Sequence, residues 1–134
     1  MQRRPKKYTN QTKEEIEGYL GKLKQIIERG SFHISVTDKR QKNKDFIKKY
    51  NLNSKKQKEM LLNIETKDFC YSIDDDDGRK ERLYIFSREY ELEERGIREL
   101  VSVFIKTVIK ENAYAIIVSF HEPEREVKKL FIWG

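Results

Sequence analysis

Between Leu83 and His121 the chain is almost entirely strand-forming. Leu83–Leu92, Leu100–Ile109 and Ala113–His121 are rich in β-branched and aromatic residues, and only the turn-like stretches Glu93–Gly96 and Lys110–Asn112 part them. Connections so short admit hairpins but no crossover helix, so neighbouring stretches must run antiparallel. The expectation is a three-stranded meander, and the rest of the chain has to cover it.

The first half reads as helices. Thr12-Lys13-Glu14-Glu15 has the form of a capping box, in which Thr12 accepts from the Glu15 amide while Glu15 reaches back. Ile16, Tyr19, Leu20, Leu23, Ile26 and Ile27 then recur at three- and four-residue spacing, and Gly30 stands where a left-handed residue ends a helix. Phe32, Ile34 and Val36 alternate with polar residues as in a short strand. Phe46, Ile47 and Tyr50 predict a short helix within Gln41–Tyr50, and Ser54-Lys55-Lys56-Gln57 predicts another capping box opening a helix through Met60, Leu61 and Leu62. Asp74–Asp77 with Gly78 reads as a solvated loop. After Pro123, the spacing of Val127, Leu130 and Phe131 suits a short helix packing back on the domain. Residues 1–11 are basic and polar, and are expected to form a flexible arm ahead of one domain over 12–134. The fold class expected is α+β, with N-terminal helices packed on an antiparallel sheet.

Composition limits the function classes. A chain of 134 residues can bury one core, and 37% apolar residues, including seven Phe and seven Tyr, suffice to fill it. The formal charge of +6 draws phosphate groups, whether of nucleic acid or of an anionic membrane. No apolar run approaches the roughly 18 residues needed to span a bilayer, and no apolar stretch follows the basic N-terminus as export would require. The single Cys70 fits a reducing compartment, so a cytoplasmic protein is expected.

Strict alternation places candidate chemistry on the last hairpin. If an even-length loop joins its strands, Val101, Val103, Ile105 and Thr107 share the core face with Ile116, Val118 and Phe120. The opposite face then carries Ser102, Phe104 and Lys106 beside Ser119 and His121, with His121 near Phe104 or Ser102. Ribonuclease chemistry without a metal needs a base for the 2′-hydroxyl, cations for the phosphorane and an acid for the leaving 5′-oxygen. His121, Lys106 and Arg88 are residues able to supply these roles. The bland alternatives are a polar strand end for His121 and a solvating surface lysine for Lys106. Tyr71, Tyr84 and Tyr90 are candidates for stacking on unpaired bases, against the commoner role of such rings in a core.

Other site types fail on spacing. With Gly78 at the sixth position of a calcium loop, Ile73 and Tyr84 would fall at the first and twelfth, where ligands are required. One Cys and two distant His make no zinc cluster, so neither metal nor cofactor is expected. A Cys70–His121 pair stays open beside the usual role of a lone cysteine as a small buried hydrophobe.

Taken together, Leu52 to Gln57, Asp68-Phe69-Cys70-Tyr71-Ser72, Val103-Phe104-Ile105-Lys106 and Ile117-Val118-Ser119-Phe120-His121 resemble the MqsR family of RelE-like toxins, over roughly residues 14–122. The resemblance implies a RelE-like fold and a metal-independent endoribonuclease, an mRNA interferase of a toxin–antitoxin system, that cuts single-stranded message and is neutralised by a cognate antitoxin protein. By position it puts Tyr71 where the family has an active lysine, Phe104 where it has a tyrosine, and His121 where it has a final lysine. Lys106 matches a family lysine, and a family glutamine falls at or near Ser87, beside Arg88. Substrate contacts are expected from Ser87, Tyr90, Phe104 and Ser119. Because Phe104 lacks a hydroxyl, either the chemistry is redistributed over His121, Tyr71 and Arg88 or the activity is lost. A non-catalytic nucleic-acid- or protein-binding module of phage or mobile-element origin is the alternative, resting on the basic stripe Lys42, Lys44, Lys48, Lys49, Lys55, Lys56 and Lys58. Binding to an anionic membrane fits less well, because the apolar faces are needed for the core.

Overall fold

The computed structural model describes residues 6–74 and 81–131. Among these, three helices, α1 (Lys13–Glu28), α2 (Gln41–Lys49) and α3 (Ser54–Leu62), pack on a six-stranded, largely antiparallel sheet. The strands are β1 (Lys7–Tyr8), β2 (Phe32–Ile34), β3 (Phe69–Asp74), β4 (Arg82–Glu94), β5 (Ile97–Lys110) and β6 (Tyr114–His121), in the spatial order β1-β3-β4-β5-β6-β2. The acidic stretch from Asp75 to Asp77, with Gly78, lies outside the described residues.

The meander forms as expected, and β3 joins it. β4 and β5 turn through Arg95 and Gly96, both at positive φ, the backbone that a two-residue hairpin turn requires. β2 pairs in parallel with β6, so the sheet is mixed where the sequence predicted an antiparallel one. A strand that enters from α1 on the helical layer lands beside β6 without a hairpin to reverse it. Val36 is exposed and lies beyond the end of β2.

Helix starts and stops follow local chemistry. The Thr12 capping box closes in both directions, at 3.1 and 3.0 Å. Gly30, at φ 78°, ends α1 by donating to Ile27 O while Ser31 N donates to Ile26 O, the double bond of a Schellman motif. At α3 the cap sits one residue earlier than predicted. Asn53, not Ser54, accepts from Lys56 N, leaving Ser54 as the first helical residue.

The main core lies between the helices and one sheet face, with Ile16, Leu23 and Ile27 of α1, Phe46 of α2 and Leu61 of α3 meeting Phe86, Val103, Ile105, Ile117 and Phe120. A smaller apolar cluster of Cys70, Ile73, Leu83, Ile85 and Val108 occupies the opposite face.

Both ends of the described chain protect the β3 edge, which would otherwise offer unpaired backbone to another strand. Lys7 and Tyr8 pair with Ile73 and Ser72, so part of the segment expected to be a flexible arm is a strand. At the other end Leu130 N donates to Phe69 O. The helix expected around Val127, Leu130 and Phe131 is not formed, although all three pack on the domain as their apolar character demands. Their residues run as an extended strap from the end of β6, across the second sheet face, to β3. No helix among the described residues is long and apolar enough to cross a membrane.

Candidate active site

The strap and the second sheet face enclose a cleft of about 890 Å³. Its floor carries Cys70 and Tyr71 of β3, Phe104 and Lys106 of β5, and Ser119 and His121 of β6. Its wall is the turn Asp38–Arg40 with the first turn of α2, and its roof is Pro123–Lys128. Seven Lys and Arg side chains line it against three carboxylates, so the cleft is suited to phosphate.

Irregular strands make this floor. Between Lys106↔Ser119 and Thr107↔Ile117 the pairing skips Val118, and between Phe69↔Phe86 and Tyr71↔Ile85 it skips Cys70. Each is a bulge, in which two residues of one strand oppose one of its partner. The loop after β5 has three residues rather than an even number, since Lys110 pairs with Tyr114. Near the loop, therefore, Ala115 and Ile117 face the core, while Ile116 and Val118 face the other way, contrary to the alternation expected. The bulge then shifts the register by one, so Phe120 faces the core and Ser119 and His121 face the cleft, as predicted.

His121 pairs directly with Phe104, their rings 5.9 Å apart. Its Nδ1 lies 2.7 Å from the carbonyl oxygen of Glu122. A carbonyl can only accept, so Nδ1 carries the proton and Nε2 keeps its lone pair. Burial pushes the imidazole pKa below the ordinary 6.5, the Glu122 hydrogen bond opposes that shift, and the charges of Lys42, Lys106 and Arg40 add to it. At neutral pH His121 is therefore an uncharged base. If it acts as one, cleavage should rise with pH through a midpoint below 6.5 and stay level above it. A rate profile whose acid limb lies above pH 7 would contradict that protonation state.

Lys106 pairs with Ser119 on the same face, and lies about 7 Å along the strand from Phe104. Tyr71 is half-buried, with the ammonium of Lys7 over its ring at 4.5 Å. Burial raises the pKa of its hydroxyl, which stays protonated and able to donate. Cys70 is buried and its thiol is pushed up to about 12, so it is no nucleophile for a Cys70–His121 pair.

The structure thus brings together Tyr71, Phe104, Lys106, Ser119 and His121. It separates Arg88 and Tyr90 from them. Both lie on the helix-covered face of β4, where Arg88 binds the buried carboxylate of Asp68 at 3.0 Å and the Tyr90 hydroxyl donates to Met60 O at 2.6 Å. Tyr84 is also on that side, stacked on Tyr19 with ring centroids 3.8 Å apart. Ser87 shares the face of Phe104 but is buried outside the cleft lining. In sequence Arg88 is one residue from Ser87, and that one step puts it through the sheet.

Contributors not singled out for the site from sequence include Arg40, Asn43 and the strap, whose Glu124 and Glu126 are matched by Arg125 and Lys128. Lys42 appeared only within the basic stripe of the helices, and it forms an ion pair with Glu124 of the strap. No local motif marks Arg40, Lys42 or Asn43, because they reach the cleft by the packing of α2 against β6. No protein-family model matches the chain, and no curated protein matches it.

Proposed function

We propose that this protein is a metal-independent endoribonuclease that cuts single-stranded RNA in the cleft between the strap and the sheet. The observation that carries the reading is a neutral histidine, His121, with its Nε2 lone pair in a cleft lined by cations. Nε2 takes the proton of a ribose 2′-hydroxyl. The 2′-oxygen then attacks the adjacent phosphorus, and the bond to the 5′-oxygen breaks. Lys106 and Arg40 offset the charge that builds on the phosphorane, and the Tyr71 hydroxyl protonates the departing 5′-oxygen. The products are a 2′,3′-cyclic phosphate and a 5′-hydroxyl.

The roof favours a single strand, whose bases can splay against Phe104 and Tyr71, over a duplex that presents only its backbone. The resemblance to the MqsR family adds messenger RNA as the substrate and a cognate antitoxin as the neutralising partner. Arg88 and Tyr90 take no part in this scheme.

The test is incubation of the purified chain with single-stranded RNA in the presence of a chelator. Cyclic phosphate ends are expected, and producing the chain alone should arrest growth. If RNA is bound but left intact and growth continues, the non-catalytic binding module replaces the enzyme.

Binding itself should weaken steeply with salt. Each phosphate neutralised by a Lys or Arg releases counterions, giving a slope of log affinity against log salt of about −0.7 per phosphate contact on a single strand. With Lys7, Arg40, Lys42 and Lys106 facing one strand, a slope near −2 to −3 is expected from that relation. A flat dependence would take RNA off the list of ligands.

A further inference from the structure

We propose that Asn43 is a positioning residue for His121, holding from α2 the bulge of β6 that turns His121 and Ser119 into the cleft. The proposal rests on the reading of His121 as the base, and its test reads the histidine directly.

A bulge leaves backbone groups outside the regular ladder, and buried groups of that kind need partners. At this bulge the partner is one side chain. Asn43 Nδ2 donates to Val118 O at 3.0 Å and to Ser35 O at 2.8 Å, while Phe120 N donates to Asn43 Oδ1 at 2.7 Å. Asn43 is fully buried. It lies in the first turn of α2, where an aspartate could not donate to the two carbonyls and a leucine would leave three backbone groups unpaired.

The consequence reaches the site along the chain. Val118 and Phe120 bracket Ser119, and His121 follows, so fixing the two brackets fixes which way both cleft residues point. Arg40 and Lys42 stand three and one residues before Asn43 and line the same cleft. One carboxamide therefore ties the base to the cations on the opposite wall. Small displacements matter here, because misplacing a reacting group by about 1 Å costs about a hundredfold in rate.

The chain has two histidines, His33 and His121, so nitrogen NMR of the labelled chain resolves each. His33 is an internal control, since its Nδ1 meets the Tyr114 hydroxyl at 2.8 Å away from the cleft. The titratable groups lining the cleft with His121 are Asp38, Lys39, Arg40 and Lys42 on the α2 side, Lys106 on β5, Lys7, Cys70 and Tyr71 on β1 and β3, and Glu124, Arg125, Glu126 and Lys128 on the strap. Asn43→Ala leaves all of them in place.

In the wild type His121 is expected to hold its proton on Nδ1 at neutral pH and to titrate below 6.5. In folded Asn43→Ala the midpoint should move up toward the ordinary 6.5 and the tautomer should become a mixture, with His33 unchanged. Cleavage should fall about tenfold to a hundredfold, with its acid limb following the new midpoint. Asn43→Ser, which keeps one hydroxyl for the bulge, should lie between the two. A folded Asn43→Ala or Asn43→Ser protein with wild-type tautomer and midpoint overturns the proposal. So does loss of the fold in both variants, which would make Asn43 a determinant of the whole domain rather than of His121. If the wild type cleaves nothing yet the histidine responds as described, the positioning role stands and the enzyme reading fails.

Discussion

His121→Ala should lower RNA cleavage by about a hundredfold or more, the usual scale for loss of a general acid or base, and leave the chain folded. Fold survival follows from position: the His121 ring is half-buried on the cleft face at the end of β6, and its Nδ1 bonds to the carbonyl of the neighbouring Glu122. Its neighbour gives the contrast. Phe120 is fully buried and packs edge-on against Phe46 with ring centroids 5.6 Å apart. Phe120→Ala should cost about 3–5 kcal/mol of stability, the range for deleting a core aromatic. Denaturant unfolding and cleavage, measured on both variants, separate the roles: His121→Ala should lose activity at near-wild-type stability. A His121→Ala protein that is folded and cuts at the wild-type rate removes the residue from the mechanism.

Asp68→Ala should destabilise the protein by about 3–5 kcal/mol, the cost of stripping a buried charge of its partner. The Asp68 carboxylate is 1% exposed and accepts from Arg88 at 3.0 Å, from Glu65 N at 2.8 Å and from Lys129 at 3.3 Å. Removing it leaves the Arg88 guanidinium, 24% exposed, with the more distant Glu65 carboxylate at 3.4 Å as its ion-pair partner among the described residues. It also releases Lys129, next to the Leu130 that closes the β3 edge. Arg88→Gln should likewise act on stability, and its cleavage per folded molecule should stay near that of the wild type. A lowered unfolding midpoint is the expected reading for both. Loss of cleavage in a fully stable Arg88→Gln protein would return the arginine to the catalytic set.

The contrast between Arg88 and His121 shows how far a sequence can place a site. Both are polar residues within strands and both looked suited to phosphate chemistry. Pairing with Phe104 put His121 on the open face, whereas Arg88 stands opposite Val103 and so faces the helices. Its need for a partner there is met by Asp68, 20 residues away in the chain, and nothing in the segment Asp68–Ser72 points to Arg88. Tyr71 was legible in the sequence as a stacking candidate, and its place among the active positions came only from the family resemblance. Its position on the floor depends on the bulge at Cys70, and nothing local announces an extra residue in β3.

By itself the sequence determined the element types: period-two stretches made the meander, the three-and-four spacing made α1, and Thr12 and Gly30 set that helix's ends, because these preferences act within a few residues. Alternation along each strand also put Phe104 with Lys106 and Ser119 with His121, but the three-residue loop and the bulge at Val118 together decided that these two pairs share one face. The tertiary structure decided the rest. The parallel docking of β2, the two bulges, the strap over the second face, and the contribution of Arg40, Lys42 and Asn43 to the cleft all arise from contacts between distant segments. A buried backbone group must find a hydrogen-bond partner wherever packing puts one, and at the β6 bulge packing put Asn43, 75 residues from Val118 in the chain.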